Sequence, residues 1–357
     1  MLWRTTLCSF LLLVYGFDKR PAPVRFEFSE AHMGTRFRII LYAANVRAAT
    51  IASSAAFERI SQLDAIMSDY RETSELMLLC KQPSGTKVPV SKDLFRVLGA
   101  GQELAARSNG AFDITVGPLV RLWRRARRTG ELPDRQRIAE ALDSTGYKEL
   151  RLDRSTRSVI LEKSGMLLDL GGIAKGFAVD EAMKVLKRHG IPRALVAAGG
   201  DIVVSAPPPG ARGWVIGIAA LESTEAPPSR YLLLRDRAVS TSGDAHQYVD
   251  IGGVRYSHIV DPHTGLGLTG RSSVTVIAND CTTSDGLATA ASVLGPSRGS
   301  RLIDLTPGAA ALFRHVGEEG IVTVETNRWN ELPEPQFTED RKSHREEAHI
   351  PTPRPGR

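Results

Sequence analysis

Four short stretches of this 357-residue chain combine glycine with an acid or a hydroxyl. Glycine lets backbone approach a ligand, and carboxylates and hydroxyls are hard oxygen donors, so the shared chemistry is that of a phosphorylated ligand and a hard cation. The first stretch runs from Gly110 to Pro118 and carries Asp113 as a hydrogen-bond acceptor. A capped turn before a strand reads equally well there. The second runs from Leu168 to Gly176 and leads into a helix bearing Asp180. Its Gly171-Gly172 amides near a helix N-terminus, with Lys175 as a compact charge beside them, suit a diphosphate, and Asp169 can accept from a polar edge of the ligand. A glycine turn without a ligand has the same local pattern. The third pairs Val239–Asp244 with Tyr256–Gly265, placing His258 in a strand-like run before the Asp261-Pro262 turn. A histidine there can act as a general base or be structural. In the fourth, Asp280–Leu294, Asp285 and Thr289 are four apart and share a helix face. They can take two positions around Mg²⁺, leaving the others to a backbone carbonyl, water and substrate phosphate oxygens. An acid favoured in a first helical turn is the bland reading of Asp285.

The elements that must position these groups alternate. Met33–Tyr42 reads as a strand and Ala48–Met67 as a helix; Ser91–Ser108 is a second helix, with Ser91 as N-cap and Asn109-Gly110 as its stop. Leu150–Leu161 resembles a polar hairpin, Val179–His189 a helix closed by Gly190, and Ala194–Val204 a buried strand broken at Gly199-Gly200. Trp214–Ile218 and Tyr231–Leu234 read as strands, with the prolines of Ala206–Gly210 and Pro227-Pro228 in hairpin loops.

A hydrophobic content of 42% with 24% charged residues is that of a globular protein with a large core. The net charge of +6 is spread along the chain, so nucleic-acid binding is not implied. Arg121, Arg124, Arg125, Arg127 and Arg128, after a Pro118-Leu119 turn, fit a solvated helix face or else an anionic partner or membrane surface. Arg4 followed by the apolar run from Leu7 to Tyr15 has the form of a secretory leader over residues 1–20, too short to span a bilayer and without a clear cleavage site. Export to the periplasm or to the inner-membrane surface is expected. Beyond the leader only Cys80 and Cys281 remain, too few for a disulfide framework or a zinc site. From Pro333 to the end the composition predicts a disordered tail.

Taken in order, Met33-Gly34-Thr35, Met67-Ser68-Asp69-Tyr70, Ala111-Phe112-Asp113, the DLGGIAKG run from Asp169 to Gly176, Gly199-Gly200-Asp201, Thr241-Ser242-Gly243, Ser257-His258-Ile259 with Asp261-Pro262, and Asp285 with Thr289 resemble the FAD:protein FMN transferase (ApbE) family over about residues 31–315. The resemblance implies a single α/β (α+β) unit of two subdomains around a FAD groove. It implies Mg²⁺-dependent cleavage of FAD, release of AMP, and attachment of FMN to a threonine or serine hydroxyl of a target flavoprotein, with a subunit of a membrane-bound redox pump as the expected acceptor. Carried across by motif, Met33, Tyr70, Ala111, Phe112, Asp113, Asp169, Lys175 and Ile259 line the FAD pocket, with Tyr70 stacking on the flavin. Asp285, Thr289 and the Gly172 carbonyl hold the metal, and His258 activates the incoming hydroxyl. Departures at Asp244–Gln247 and in the proline loop near Pro207 bear on acceptor choice. Two alternatives share the pocket: a FAD pyrophosphatase, with water in place of the protein hydroxyl, and an exported FAD-binding protein.

Overall fold

The computed structural model describes residues 22–221, 227–244 and 247–336; the leader and the tail beyond residue 336 lie outside the described residues. Strand β1 (Val24–His32) turns at Met33-Gly34 into β2 (Thr35–Ala43). Met33 and Gly34 have φ of 48° and 70°, the pair of positive values a two-residue hairpin turn needs. Met33 is therefore a turn residue and not the start of the strand the sequence predicted. The chain continues through α1 (Val46–Met67), α2 (Glu75–Cys80), β3 (Val88–Pro89), α3 (Lys92–Arg107), α4 (Gly117–Thr129) and α5 (Arg135–Asp143). Pro118 lies in the first turn of α4, where its missing N–H is not needed, so the predicted turn at Pro118-Leu119 is a helix start.

Next come β4 (Leu150–Asp153), β5 (Ser158–Leu161), α6 (Ala174–Arg188), β6 (Ala194–Ala198), β7 (Asp201–Val204), β8 (Trp214–Ile218), β9 (Arg230–Leu234) and β10 (Arg237–Gly243). They are followed by β11 (Tyr248–Ile251), β12 (Val254–Val260), β13 (Gly267–Thr269), β14 (Ser272–Ala278), α7 (Cys281–Asp304), β15 (Ala310–Gly317) and β16 (Gly320–Glu325). Helix α6 begins five residues before the Val179 expected from sequence, because the glycine-rich run itself supplies its first turn. The predicted strand Ala194–Val204 is a tight hairpin of β6 and β7 with Gly199 at φ 63°. The proline segment at 206–210 is no hairpin loop, since it carries the chain out of the main sheet into the separate β8–β9 ribbon.

Among the described residues the main sheet has eight strands in the order β1-β2-β6-β7-β10-β14-β15-β16, every ladder antiparallel. Alternation sends Phe37, Ile39, Leu41, Val196 and Ala198 into a core under α1, α6 and α7. Ile40, Leu195 and Ala197 point the other way, to Trp214, Ile216 and Trp329. Both faces are covered, so β6 is apolar and buried along its whole length. A third cluster joins Leu119, Trp123 and Ala126 of α4 to Val260 of β12, with Trp123 Nε1 donating to the Gly265 carbonyl at 2.8 Å. The sheet reaches past the expected span of 31–315 at both ends, and Pro333 and Glu334, assigned by composition to the tail, are held by Leu233 and Arg230.

Helices α6 and α7 meet at Gly176. A Cβ there would stand 2.3 Å from the Cys281 carbonyl oxygen and 2.8 Å from the Asp285 Cβ. Asp180, one turn further along α6, caps α7 by accepting from Cys281 N, Thr282 N and Thr282 Oγ1. Gly176→Ala is expected to cost about 1–3 kcal/mol of unfolding free energy, since backbone cannot yield as a flexible side chain can. Gly99→Ala, in open space on α3, is expected to stabilise by about 0.5–1 kcal/mol. Urea titration of both variants checks the contrast; equal effects would mean that the helices do not depend on a bare Cα at Gly176.

Candidate active site

The turn Leu170–Ile173 opens α6 without a side-chain cap, leaving first-turn N–H groups for other partners. One is taken from across the helix interface: Gly176 N donates to Asp285 Oδ2 at 3.0 Å. Thr289 follows one turn along α7, its Oγ1 3.4 Å from Ser242 Oγ on β10. Gly172 faces it closely enough that a Cβ would come within 3.0 Å of Thr289 Oγ1 and 3.1 Å of the Phe112 ring. The fold thus brings Gly172, Asp285, Thr289 and Phe112 to one place.

Lys175, the compact charge expected beside the glycine turn, is ion-paired. Its Nζ lies 2.9 Å from Asp201 and 3.6 Å from Asp285, and donates to the Gly171 carbonyl at 3.3 Å. Burial alone would lower its pKa, but the two carboxylates outweigh that and hold it above its ordinary value. Burial first and Asp201 second push the Asp285 carboxyl up to about 7, against the pull of Lys175 and the Gly176 N–H. Two buried carboxylates share one ammonium, a set that added positive charge would favour.

Across the α6 N-terminus, Asp169 Oδ1 accepts from Gly171 N at 2.8 Å while Oδ2 lies 3.1 Å from Arg124 of α4. Burial and then Asp69 lift this carboxyl to about 6. Arg124 also pairs with Asp69 at 2.5 Å, next to Tyr70, a residue that is 74% exposed. Tyr70 is therefore a largely exposed aromatic side chain with the Arg124 guanidinium over its ring.

His258 is half-buried on β12, with Ile259 buried beside it. Its Nδ1 is 3.1 Å from the Gln247 carbonyl, which also accepts from the His258 backbone N–H. A carbonyl only accepts, so the ring proton sits on Nδ1 and Nε2 keeps its lone pair. Burial lowers the imidazole to about 4; the Gln247 contact opposes that, while Arg127 and Lys175 lower it further. The ring is neutral at pH 7.

Asp113 is buried in its own loop. Its Oδ1 accepts from Thr115 N and Oγ1, both at 2.7 Å, and its Oδ2 accepts from Tyr147 N at 2.8 Å. It braces the loop that presents buried Ala111 and Phe112. Met33 sits on the β1–β2 turn, which lies beside Gly199 because β2 pairs with β6. Sequence reasoning gave no role to Asp201, Asp69 or Ser242, although all three stand inside quoted motifs, and it left Arg124 in an undivided arginine run.

The donors around Gly172 fit a hard cation. Asp285 supplies a carboxylate, Thr289 and nearby Ser242 supply hydroxyls, and the absence of a Cβ at Gly172 lets its backbone lie close to Thr289. Among the described residues no three His, Cys, Asp or Glu side chains converge as a metal-ligand group. No helix among the described residues is long and apolar enough to cross a membrane.

A model of the ApbE family matches residues 33–313. FAD:protein FMN transferase of Treponema pallidum is 33% identical over 331 residues, covering 87% of this chain and 90% of that protein. The Vibrio cholerae protein of the same name is 32% identical over 305 residues, covering 83% of this chain and 89% of its own. Among solved structures, apo flavinyl transferase ApbE of Pseudomonas stutzeri superposes with a TM-score of 0.78 at 30% identity, covering 88% of this chain and 99% of that one. The ApbE protein of Thermotoga maritima gives 0.78 at 33%, covering 87% and 100%. With the family's fold, its ordered motifs and a match across most of its length, the chain belongs to the ApbE family.

Proposed function

We propose that the protein is a FAD:protein FMN transferase that joins the FMN half of FAD to a threonine or serine hydroxyl of a target flavoprotein and releases AMP. The observation that carries the reading is the convergence of Asp285, Thr289 and Gly172 beside Lys175 at the open start of α6. Such a site suits a diphosphate with a hard cation. Asp285, Thr289 and the Gly172 carbonyl would hold Mg²⁺, which when bound supplies positive charge to the diphosphate.

The acceptor oxygen bonds to the FMN-side phosphorus, and the bond from that phosphorus to the bridging oxygen breaks. The electron pair leaves with AMP. Nε2 of His258 takes the hydroxyl proton, with the Gln247 carbonyl fixing the ring in the tautomer that can do so. Lys175, held by Asp201, keeps a positive charge at the α6 N-terminus where the diphosphate lies. Tyr70, Phe112 and Ile259 supply the apolar and aromatic surfaces that a flavin needs. Export, association with the inner-membrane surface and a redox-pump subunit as acceptor belong to the same reading, supported by the Arg4–Tyr15 leader and by the family resemblance.

The direct test incubates the protein with FAD, Mg²⁺ and a threonine-containing acceptor domain while following AMP and acceptor mass together. An FMN adduct is expected; AMP without an adduct would favour the pyrophosphatase, and neither product a binding protein. Asp285→Ala is expected to lose AMP release by more than about a hundredfold while staying folded; unchanged release would remove the metal assignment. His258→Ala should still bind FAD but transfer about 10²- to 10⁴-fold more slowly, whereas loss of FAD binding would make His258 a pocket residue.

The imidazole should titrate near pH 4 by NMR, with Nδ1 protonated at pH 7. Its folded pKa lies below the ordinary 6.5, so the unfolded chain protonates first as pH falls. Stability due to neutral His258 is then full above about pH 6.5 and lost towards pH 4. The melting temperature of the wild type should therefore fall relative to His258→Gln across that window, and a constant difference would contradict the assigned shift.

A further inference from the structure

The arginines of α4 divide between two faces. Arg121, Arg125 and Arg128 are exposed, whereas Arg124 points inward. The Arg124 guanidinium lies 4.2 Å from the Tyr70 ring centroid, reaches Asp69 at 2.5 Å with one nitrogen, and reaches Asp169 at 3.1 Å with another. The helix behind it is fixed by buried Leu119, Trp123 and Ala126.

We infer that Arg124 is a positioning residue that holds Tyr70 as a stacking platform for the flavin ring of the substrate and ties that platform to the diphosphate loop. The inference rests on the FAD reading above. An aromatic ring as exposed as Tyr70 has little packing to hold its rotamer, and ordering it on binding weakens affinity. The flat guanidinium covers one face of the ring and leaves most of its surface open. Two carboxylates fix the guanidinium in turn, one adjoining Tyr70 in sequence and the other accepting from Gly171 N in the turn that opens α6. Ring and loop are thereby joined through one fork of hydrogen-bond donors, a geometry lysine cannot reproduce.

The test measures FAD dissociation constants and flavin emission for the wild type, Arg124→Gln, Arg124→Lys, Tyr70→Ala and the Tyr70→Ala, Arg124→Gln double variant, with steady-state kinetics on those that turn over. Both Arg124 substitutions are expected to weaken FAD binding about fivefold to tenfold. They should also relieve quenching of the flavin, and raise KM for FAD more than they lower kcat. In the Tyr70→Ala background, Arg124→Gln should add less than about twofold. An Arg124→Lys protein that binds and quenches like the wild type, or an Arg124→Gln effect undiminished without Tyr70, would overturn the inference while leaving the transferase reading intact. A wild type that binds no FAD would overturn both.

Discussion

The site depends on the close crossing of α6 and α7 at Gly176. Without a side chain there, the Asp285 carboxylate reaches the Gly176 N–H, an otherwise unsatisfied donor of a helix start. Asp180 makes the reciprocal bond from α6 to the first amides of α7. Each helix thus caps the other with an acid, and the register between them is set by backbone groups whose positions cannot drift independently. Thr289 faces Gly172 because that register is fixed.

The crossing concentrates charge. Asp201 enters from the β6–β7 hairpin and Asp285 from α7, and Lys175 between them does not balance both. Burial makes the imbalance costly and raises the Asp285 pKa.

What was legible in the sequence was local. Ser91 as a cap, Asn109-Gly110 as a stop and the shared face of Asp285 and Thr289 all follow from spacings of a few residues. The partnerships that give those residues their chemistry span long separations: Asp180 with Cys281, Arg124 with Asp169, Lys175 with Asp201. No periodicity encodes them. Strand β1 went unread because it pairs along one edge only and is largely exposed, with Phe26 and Phe28 set among polar residues. Asp113 shows the opposite difficulty, since an acid in a glycine-rich loop has the same local pattern whatever it serves, and its bonds from Thr115 and Tyr147 could not be read from that pattern.

The α6–α7 crossing also seals Cys281 completely, and Cys80 is tucked against the Leu168 amide that approaches its sulfur at 3.3 Å. Both are free, and burial raises both pKa values, so neither is a thiolate at neutral pH. Sulfur in this state is a poor nucleophile and a poor reductant. The architecture is therefore indifferent to the thiol–disulfide balance of its surroundings: no bond must form for it to fold, and no reactive sulfur is left to be captured by oxidants or stray disulfides among the described residues.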